Sequence, residues 1–476
     1  MSTARLIAKN TGVLIVGEVI SRLLSFFLVI LIASRLGDTG LGKYSFVFAF
    51  IGIFSVLSDL GTTVYMTREV SRDYSLTKDY LGKVFVIKLA VGIISILLPA
   101  VIIFFTNQPI EIKIGVVLAG LAMFMYYIAY PFRAVVNAYE IQNYQSWYVM
   151  SERIIAFVLG VFILYRGYGL IALLVVLVIS NASSWLLLYT LVSKKIVKLV
   201  PSFNINFAKD FLKNSFPFWF TTIFITIYFK IDTVMLSFMA DYAATGWYNA
   251  SYKIIDALSF VPFVVIIAVF PVMSKLFRKS NKTLQILYEK SFYYLSCLAL
   301  PLGLGITLLA GKIILAIYSK EFANSILALQ ILVWALVFMF VNYLMGYLLN
   351  SIDKQKLFTI STGLSAALNI ILNFMLIPSY SYKGAAAATV ITEMFNFMLL
   401  FYFTSKNGFR INLLKMLYKP IIAASLMGIF IFYFVELDYL LLIPLSIVFY
   451  FSILFLIKGI GKEELGIVKS IILKKI

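Results

Sequence analysis

Fourteen separate runs of roughly twenty apolar residues decide what this chain can become. They lie near residues 12–33, 44–65, 84–106, 114–137, 148–165, 169–192, 215–238, 251–273, 291–310, 327–349, 357–377, 384–404, 416–435 and 439–457. A helix of that length crosses the ~30 Å hydrocarbon core of a bilayer. No water-soluble core could absorb them all. The chain has 476 residues, 62% hydrophobic and 13% charged, against about 45–50% apolar and about 25% charged in soluble domains. The expectation is an all-α polytopic membrane protein of about 14 transmembrane helices.

Lysine and arginine then set the orientation, because they concentrate on the cytoplasmic side. With the N-terminus inside, 28 of the 40 basic residues fall in cytoplasmic segments and eight in outer ones; Arg22, Lys88, Arg133 and Lys230 lie within spans. Both termini are therefore expected in the cytoplasm. This distribution also accounts for the net charge of +19. Basic loops beside anionic headgroups need no nucleic acid as partner. There is no histidine, and the one cysteine, Cys297, sits in an apolar stretch. An internal disulfide is excluded, the common zinc sites are absent, and neither a metal site nor a catalytic centre is expected.

The chain repeats itself. "KNTGVLIVG" at residues 9–17 is echoed by "KNSFPFWFT" at 213–221, and "GKYS" from Gly42 by "GWYN" from Gly246, both at an offset of 204. Pro99 corresponds to Pro301, and "NAYEIQ" from Asn137 to "NSIDKQ" from Asn350. The repeating unit holds six spans. The organisation expected is an N-lobe at 1–192 with helices 1–6, a cytoplasmic inter-lobe loop at 193–214, a C-lobe at 215–405 with helices 7–12, and helices 13–14 with a basic tail at 406–476. An even number of spans gives both copies the same orientation, so a pseudo-twofold axis along the membrane normal and a substrate site near the midplane follow.

Two stretches resemble a known family. "ASRLGDTGLGKYSFVFAFIGIFSVLSDLGTTVYMTREVSRD", residues 33–73, looks like the first-loop and second-helix region of polysaccharide-transporter flippases. "LNIILNFMLIPSYSYKGAAAATVITE", residues 368–393, is similar to that family's eleventh and twelfth helices. The family belongs to the multidrug/oligosaccharidyl-lipid/polysaccharide exporter superfamily. The resemblance implies a plasma-membrane flippase that carries an undecaprenyl- or dolichyl-(pyro)phosphate-linked glycan from the cytoplasmic to the outer leaflet. It implies a cationic cavity, alternating access, membrane lipids as partners, function as a monomer, no cofactor, and H+ or Na+ as coupling ion.

Ionisable residues inside spans are costly to insert, so each calls for a partner or a task. Glu18 and Arg22, spaced i,i+4, share a helix face at the middle of the first span. Arg22 suits phosphate through its planar fork of donors, with Glu18 orienting or competing for it. Lys230 and Asp232 sit near the middle of helix 7, two residues apart, on different faces. Lys253 and Asp256 are spaced i,i+3, where a surface ion pair and a site are equally expected. Lys88 and Arg133 lie near cytoplasmic ends, where snorkelling to headgroups competes with a cavity role. The substrate-binding candidates are thus Arg22, Lys230, Arg133, Lys253 and Lys88. Glu18, Asp59, Asp232, Asp256 and Glu393 are the coupling or gating candidates. For Asp59 and Glu393 the alternative is a hydrogen bond to a polar residue of a neighbouring helix.

Two other readings share the two-lobed architecture: a cation-coupled multidrug antiporter and a lipid II flippase. A cavity for organic cations would not carry Arg22 and Lys230. A membrane polysaccharide polymerase would need acid/base groups on sizeable loops, and the longest loop has about twenty residues.

Overall fold

The computed structural model describes residues 3–59, 61–215 and 219–460, with side chains from Gly17 onward except those of Glu18 and residues 219–221. Among the described residues the chain forms sixteen α-helices and no strand. In order they are α1 (Thr3–Asp59), α2 (Thr62–Arg72), α3 (Thr77–Phe104), α4 (Ile110–Ile128), α5 (Tyr130–Ala138), α6 (Gln142–Tyr165), α7 (Leu170–Lys195) and α8 (Ile205–Ser215). There follow α9 (Trp219–Met239), α10 (Tyr242–Leu258), α11 (Phe260–Phe277), α12 (Asn281–Ile317), α13 (Ser325–Ser351), α14 (Gln355–Lys406), α15 (Leu413–Tyr433) and α16 (Tyr439–Leu456).

Twelve helical segments are long and apolar enough to cross a membrane. Two of them, Val19–Arg72 with 54 residues and Gln355–Lys406 with 52, are too long for one crossing, since either would reach about 80 Å if straight. Each is broken. Gly37 in α1 takes φ 70° and ψ −172°, and Ser381 in α14 takes φ 51° and ψ −134°. A positive φ is open to glycine because it has no Cβ; Ser381 adopts it under strain. Divided there, the two segments hold the expected first, second, eleventh and twelfth spans, so the twelve segments among the described residues are compatible with about fourteen crossings.

The chain forms two compact units, the first ending at Ala250 and the second beginning at Ser251. In the first, α1 is the hub, packing on α3, α4, α6 and α9, while α7 lies on α4 and α6. Apolar side chains of α1, α4, α6 and α7, among them Phe46, Ile51, Val116, Ala156 and Leu174, fill its interior. The short helix α8 packs on α2 and α3. Its Phe207 and Phe211 meet Tyr80 and Tyr65, and Lys209 and Lys213 point to solvent. In the second unit α13 is central, packing on α11, α12 and α14; α12 also lies on α15, and α15 on α16.

Within the first unit α1 and α10 cross with no side chain between them. A Cβ added to Gly42 would stand 1.7 Å from the carbonyl oxygen of Tyr242, and one added to Gly246 would stand 2.0 Å from that of Asp38. These are the glycines that the repeat aligns. The crossing is fastened by Trp247, whose indole Nε1 donates to Asp38 Oδ2 at 2.9 Å, while the Tyr242 hydroxyl donates to Gln108 Oε1 in the turn between α3 and α4.

Candidate functional site

The end of α1 explains the first buried charge. A helix C-terminus leaves carbonyls without intrahelical partners. Here the chain turns at Gly61 (φ 71°, ψ 6°) before α2 begins. Lys88 of α3 fills the gap: its Nζ donates to the Ser58 carbonyl at 2.5 Å, the Asp59 carbonyl at 3.1 Å and Asp59 Oδ1 at 3.1 Å. A cation at a helix C-terminus is also favoured by the helix dipole. The Asp59 carboxylate faces the other way as well, accepting from Thr63 Oγ1 at 2.7 Å and Thr62 Oγ1 at 3.2 Å, which ties it to the first turn of α2. Lys88, only 2% exposed, is thus buried against protein and does not reach out to headgroups.

Beside this pair stands an aromatic cage. The Arg133 guanidinium of α5 lies 5.1 Å from the ring centre of Tyr130, and 5.5 Å from those of Tyr126 and Tyr148. Its Nε donates to Gln145 Oε1 and its Nη1 to the Tyr126 hydroxyl, both at 3.2 Å. The opposite edge of the Tyr130 cluster meets Lys88, whose Nζ is 5.2 Å from that ring. A cation over an aromatic face is stabilised by the ring quadrupole. No carboxylate pairs with Arg133 among the described residues, so the cage holds a full positive charge. The Tyr148 hydroxyl is buried without a hydrogen-bond partner.

The remaining expected residues are dispersed. Arg22 is partly exposed on α1; Glu18, its expected companion, lies outside the described side chains. Lys230 is exposed on α9, its aliphatic stem running past Gly52, where a Cβ would stand 3.7 Å from Cγ. Asp232 turns to the opposite side, buried, and accepts from the Tyr248 hydroxyl at 2.9 Å. In the second unit Lys253 and Asp256 form a surface ion pair at 3.3 Å. Glu393 of α14 is buried and receives the Asn342 side chain of α13 on its Oε2 at 2.7 Å and on its backbone carbonyl at 3.0 Å. Among the described residues no group of histidine, cysteine and carboxylate side chains could hold a metal.

One pair escaped the sequence reading. Arg153 counts among the cytoplasmic basic residues in that reading and Glu152 is not singled out, although both lie within the fifth run at 148–165. The helix α6 begins at Gln142, which puts Glu152 about 15 Å along it, within the Gln142–Tyr165 segment that is long and apolar enough to cross a membrane. Arg153 Nε meets Glu152 Oε2 at 3.0 Å. The signal was present in "YVMSERIIAF", two charges flanked by apolar residues on both sides.

Comparison with known proteins follows this geometry. Residues 7–277 match the family described as polysaccharide biosynthesis protein, and residues 217–375 match the MatE family. An uncharacterized membrane protein of Methanocaldococcus jannaschii is 23% identical over 62% of this chain; the match spans 60% of that protein's length. The probable low-salt glycan biosynthesis flippase Agl15 of Haloferax volcanii is 22% identical over 83% of this chain and 82% of its own. Among solved structures, lipid II flippase MurJ in its inward closed conformation superimposes with a TM-score of 0.75 at 19% identity, covering 92% of this chain and 97% of that one.

Proposed function

Since the chain belongs to the polysaccharide biosynthesis protein family, within the multidrug/oligosaccharidyl-lipid/polysaccharide exporter superfamily, we propose that it flips a lipid-(pyro)phosphate-linked oligosaccharide from the cytoplasmic to the outer leaflet of the plasma membrane. It does so by alternating access, as a monomer with both termini in the cytoplasm, and the H+ or Na+ gradient drives it. The glycan serves cell-surface polysaccharide assembly.

The observation that carries this reading is Arg133. A guanidinium without a carboxylate partner, held between three tyrosine rings, offers the two things such a headgroup needs. Its remaining donors bind a phosphate oxygen pair, and the rings give flat faces for sugars. Arg22 and Lys230 are further basic residues of the same unit, apart from this cage. The names of the Haloferax relative and of MurJ point the same way.

The match of residues 217–375 to MatE supports a second reading, an antiporter for organic cations. An unneutralised Arg133 disfavours it, since like charges repel most strongly where water is scarce.

Reconstitution into liposomes decides between them. With a fluorescent polyprenyl-pyrophosphate oligosaccharide in both leaflets, the protein should make the inner pool accessible to an external quencher, and an imposed ion gradient should change the rate. Movement of organic cations without movement of the glycan lipid would establish the antiporter instead.

A further inference from the structure

The Glu152–Arg153 pair on α6 is built asymmetrically. The Glu152 side chain is 8% exposed and that of Arg153 41%. The carboxylate is therefore walled in by protein while the guanidinium stays partly open. A guanidinium within a candidate span calls for a polar partner or a task. Their contact uses Arg153 Nε. Both terminal nitrogens, the paired donors whose geometry fits a phosphate, make no hydrogen bond among the described residues.

α1 packs along α6, with Gly17 against Ser146 and Met150 and Leu28 against Gly160, so Glu18 and Arg22 fall on the stretch of α1 beside Glu152 and Arg153; the Glu18 side chain lies outside those described. From α1, Tyr44 lies within electrostatic reach of both residues. One turn earlier on α6 stands Tyr148, with Arg133 of α5 beyond its ring at 5.5 Å. The facing α7 has no charged residue before Lys194, and its Tyr189 packs on Phe132. Among the described residues Arg153 is the charge that acts on Glu152.

We propose that Glu152 and Arg153 form a proton-linked anion subsite, in which a phosphate or pyrophosphate takes Arg153 and the displaced Glu152 carboxylate takes up one proton. The physical reason is the burial. A carboxylate so enclosed keeps its charge because a guanidinium is beside it. Bringing an anion to that guanidinium adds negative charge next to Glu152 and withdraws its counter-ion, and both effects favour the protonated acid. The proton comes from the aqueous phase, and no bond other than O–H is made. Linkage makes the effect reciprocal: protonation of Glu152 frees Arg153 and tightens anion binding by the same factor. This inference rests on the flippase reading for the identity of the anion as a headgroup, and on the geometry alone for the exchange.

The test is calorimetric titration of the purified full chain in detergent with farnesyl pyrophosphate, in two buffers of different ionisation heat. Wild-type protein should take up to about one proton per probe bound, and its affinity should rise as pH falls, by at most about tenfold per unit. Glu152→Gln should bind at all pH values as the wild type does at its acid limit, with the protein's proton uptake gone. Arg153→Ala should lose at least about tenfold in affinity throughout, since two charge-assisted donors are removed. A wild type that fails to bind the probe, that binds without proton uptake, or whose uptake persists in Glu152→Gln overturns the proposal. Inorganic pyrophosphate is the second probe. Weaker binding than the farnesyl compound assigns the subsite to a lipid headgroup and equal binding to a free anion, and either supports the exchange. The liposome assay is independent: a chain that flips glycan lipid but shows no proton uptake is a flippase without this subsite.

Discussion

Gly42 and Gly246 touch each other's chain reciprocally: each places its bare Cα against the carbonyl of the residue four positions before the other. The obstructing atoms are backbone, so no side-chain rotation relieves a methyl group added at either place. Overpacking of this kind costs about 1–3 kcal/mol. Gly42→Ala and Gly246→Ala should each lower the melting temperature and cut transport in the liposome assay. Because either methyl pushes the same two helices apart, the double variant should cost less than the sum of the singles. Single variants that transport at the wild-type rate would show that the crossing opens without penalty.

Lys88 and Asp59 predict an unequal pair of variants. Asp59→Ala removes the hydroxyl bonds to Thr62 and Thr63 and strands an ammonium that is 2% exposed. Loss of one partner of a buried pair costs about 3–5 kcal/mol. Lys88→Met leaves a carboxylate that is 32% exposed, which can hydrate and keeps its bonds to Thr62 and Thr63. Asp59→Ala should therefore be the more destabilising in thermal unfolding, and adding Lys88→Met to it should recover part of the loss. Equal destabilisation by the two would contradict the geometry.

Arg133 and Tyr148 separate charge from packing. Arg133→Lys keeps the charge but loses the fork and the stacking over three rings, a contribution of about 0.5–2 kcal/mol. Flipping should fall while the protein stays folded. Tyr148→Phe removes a buried hydroxyl that has no hydrogen-bond partner. Its melting temperature should equal or exceed the wild type's, because an unsatisfied buried group costs about 1–3 kcal/mol.

Ser381 holds φ 51° where α14 breaks. Such a conformation costs a non-glycine residue about 1–3 kcal/mol. Glycine would relieve it at an entropic cost of about 0.5–1 kcal/mol, so Ser381→Gly should gain about 1 kcal/mol net and Ser381→Val should lose stability. A differential scanning experiment on both variants reads the sign directly.

Asp73, exposed between α2 and α3, accepts a hydrogen bond from the Ser75 amide at 2.9 Å. Its contacts with the Ser75 side chain and backbone hold the carboxyl below its ordinary value of 3.8. A carboxyl depressed by folding supports the turn above its unfolded pKa and ceases to do so as pH falls through the lower folded value. Amide exchange over residues 74–77 should therefore accelerate below about pH 4, after correction for intrinsic rates. Asp73→Asn should remove the pH dependence.

Hydropathy made the crossings legible, because lipid demands about twenty apolar residues at a time wherever a helix passes. The breaks were legible in part: Gly37 lies in the polar "RLGDTG", whereas Ser381 follows "IPSY" without a glycine. The pairing of Lys88 with Asp59 was not legible, since they are 29 residues apart and meet only when α3 packs on the end of α1. The start of α6 was not legible either: "QNYQSWY" is polar enough to resemble a loop, yet it forms the helix's first turns. The repeat aligned Gly42 with Gly246 as landmarks, but an offset between two positions carries no statement that they touch.

The turns at Gly37 and Ser381 also limit how the protein can be handled. Each reverses the chain within a single residue of an otherwise continuous helix, which leaves no slack strand for a protease, an antibody or an inserted tag to seize. Residues 201–204, by contrast, are exposed and outside any helix, the kind of place that accepts foreign sequence. An epitope for imaging this small membrane protein belongs there; at residue 37 or 381 it would be grafted into the fold itself.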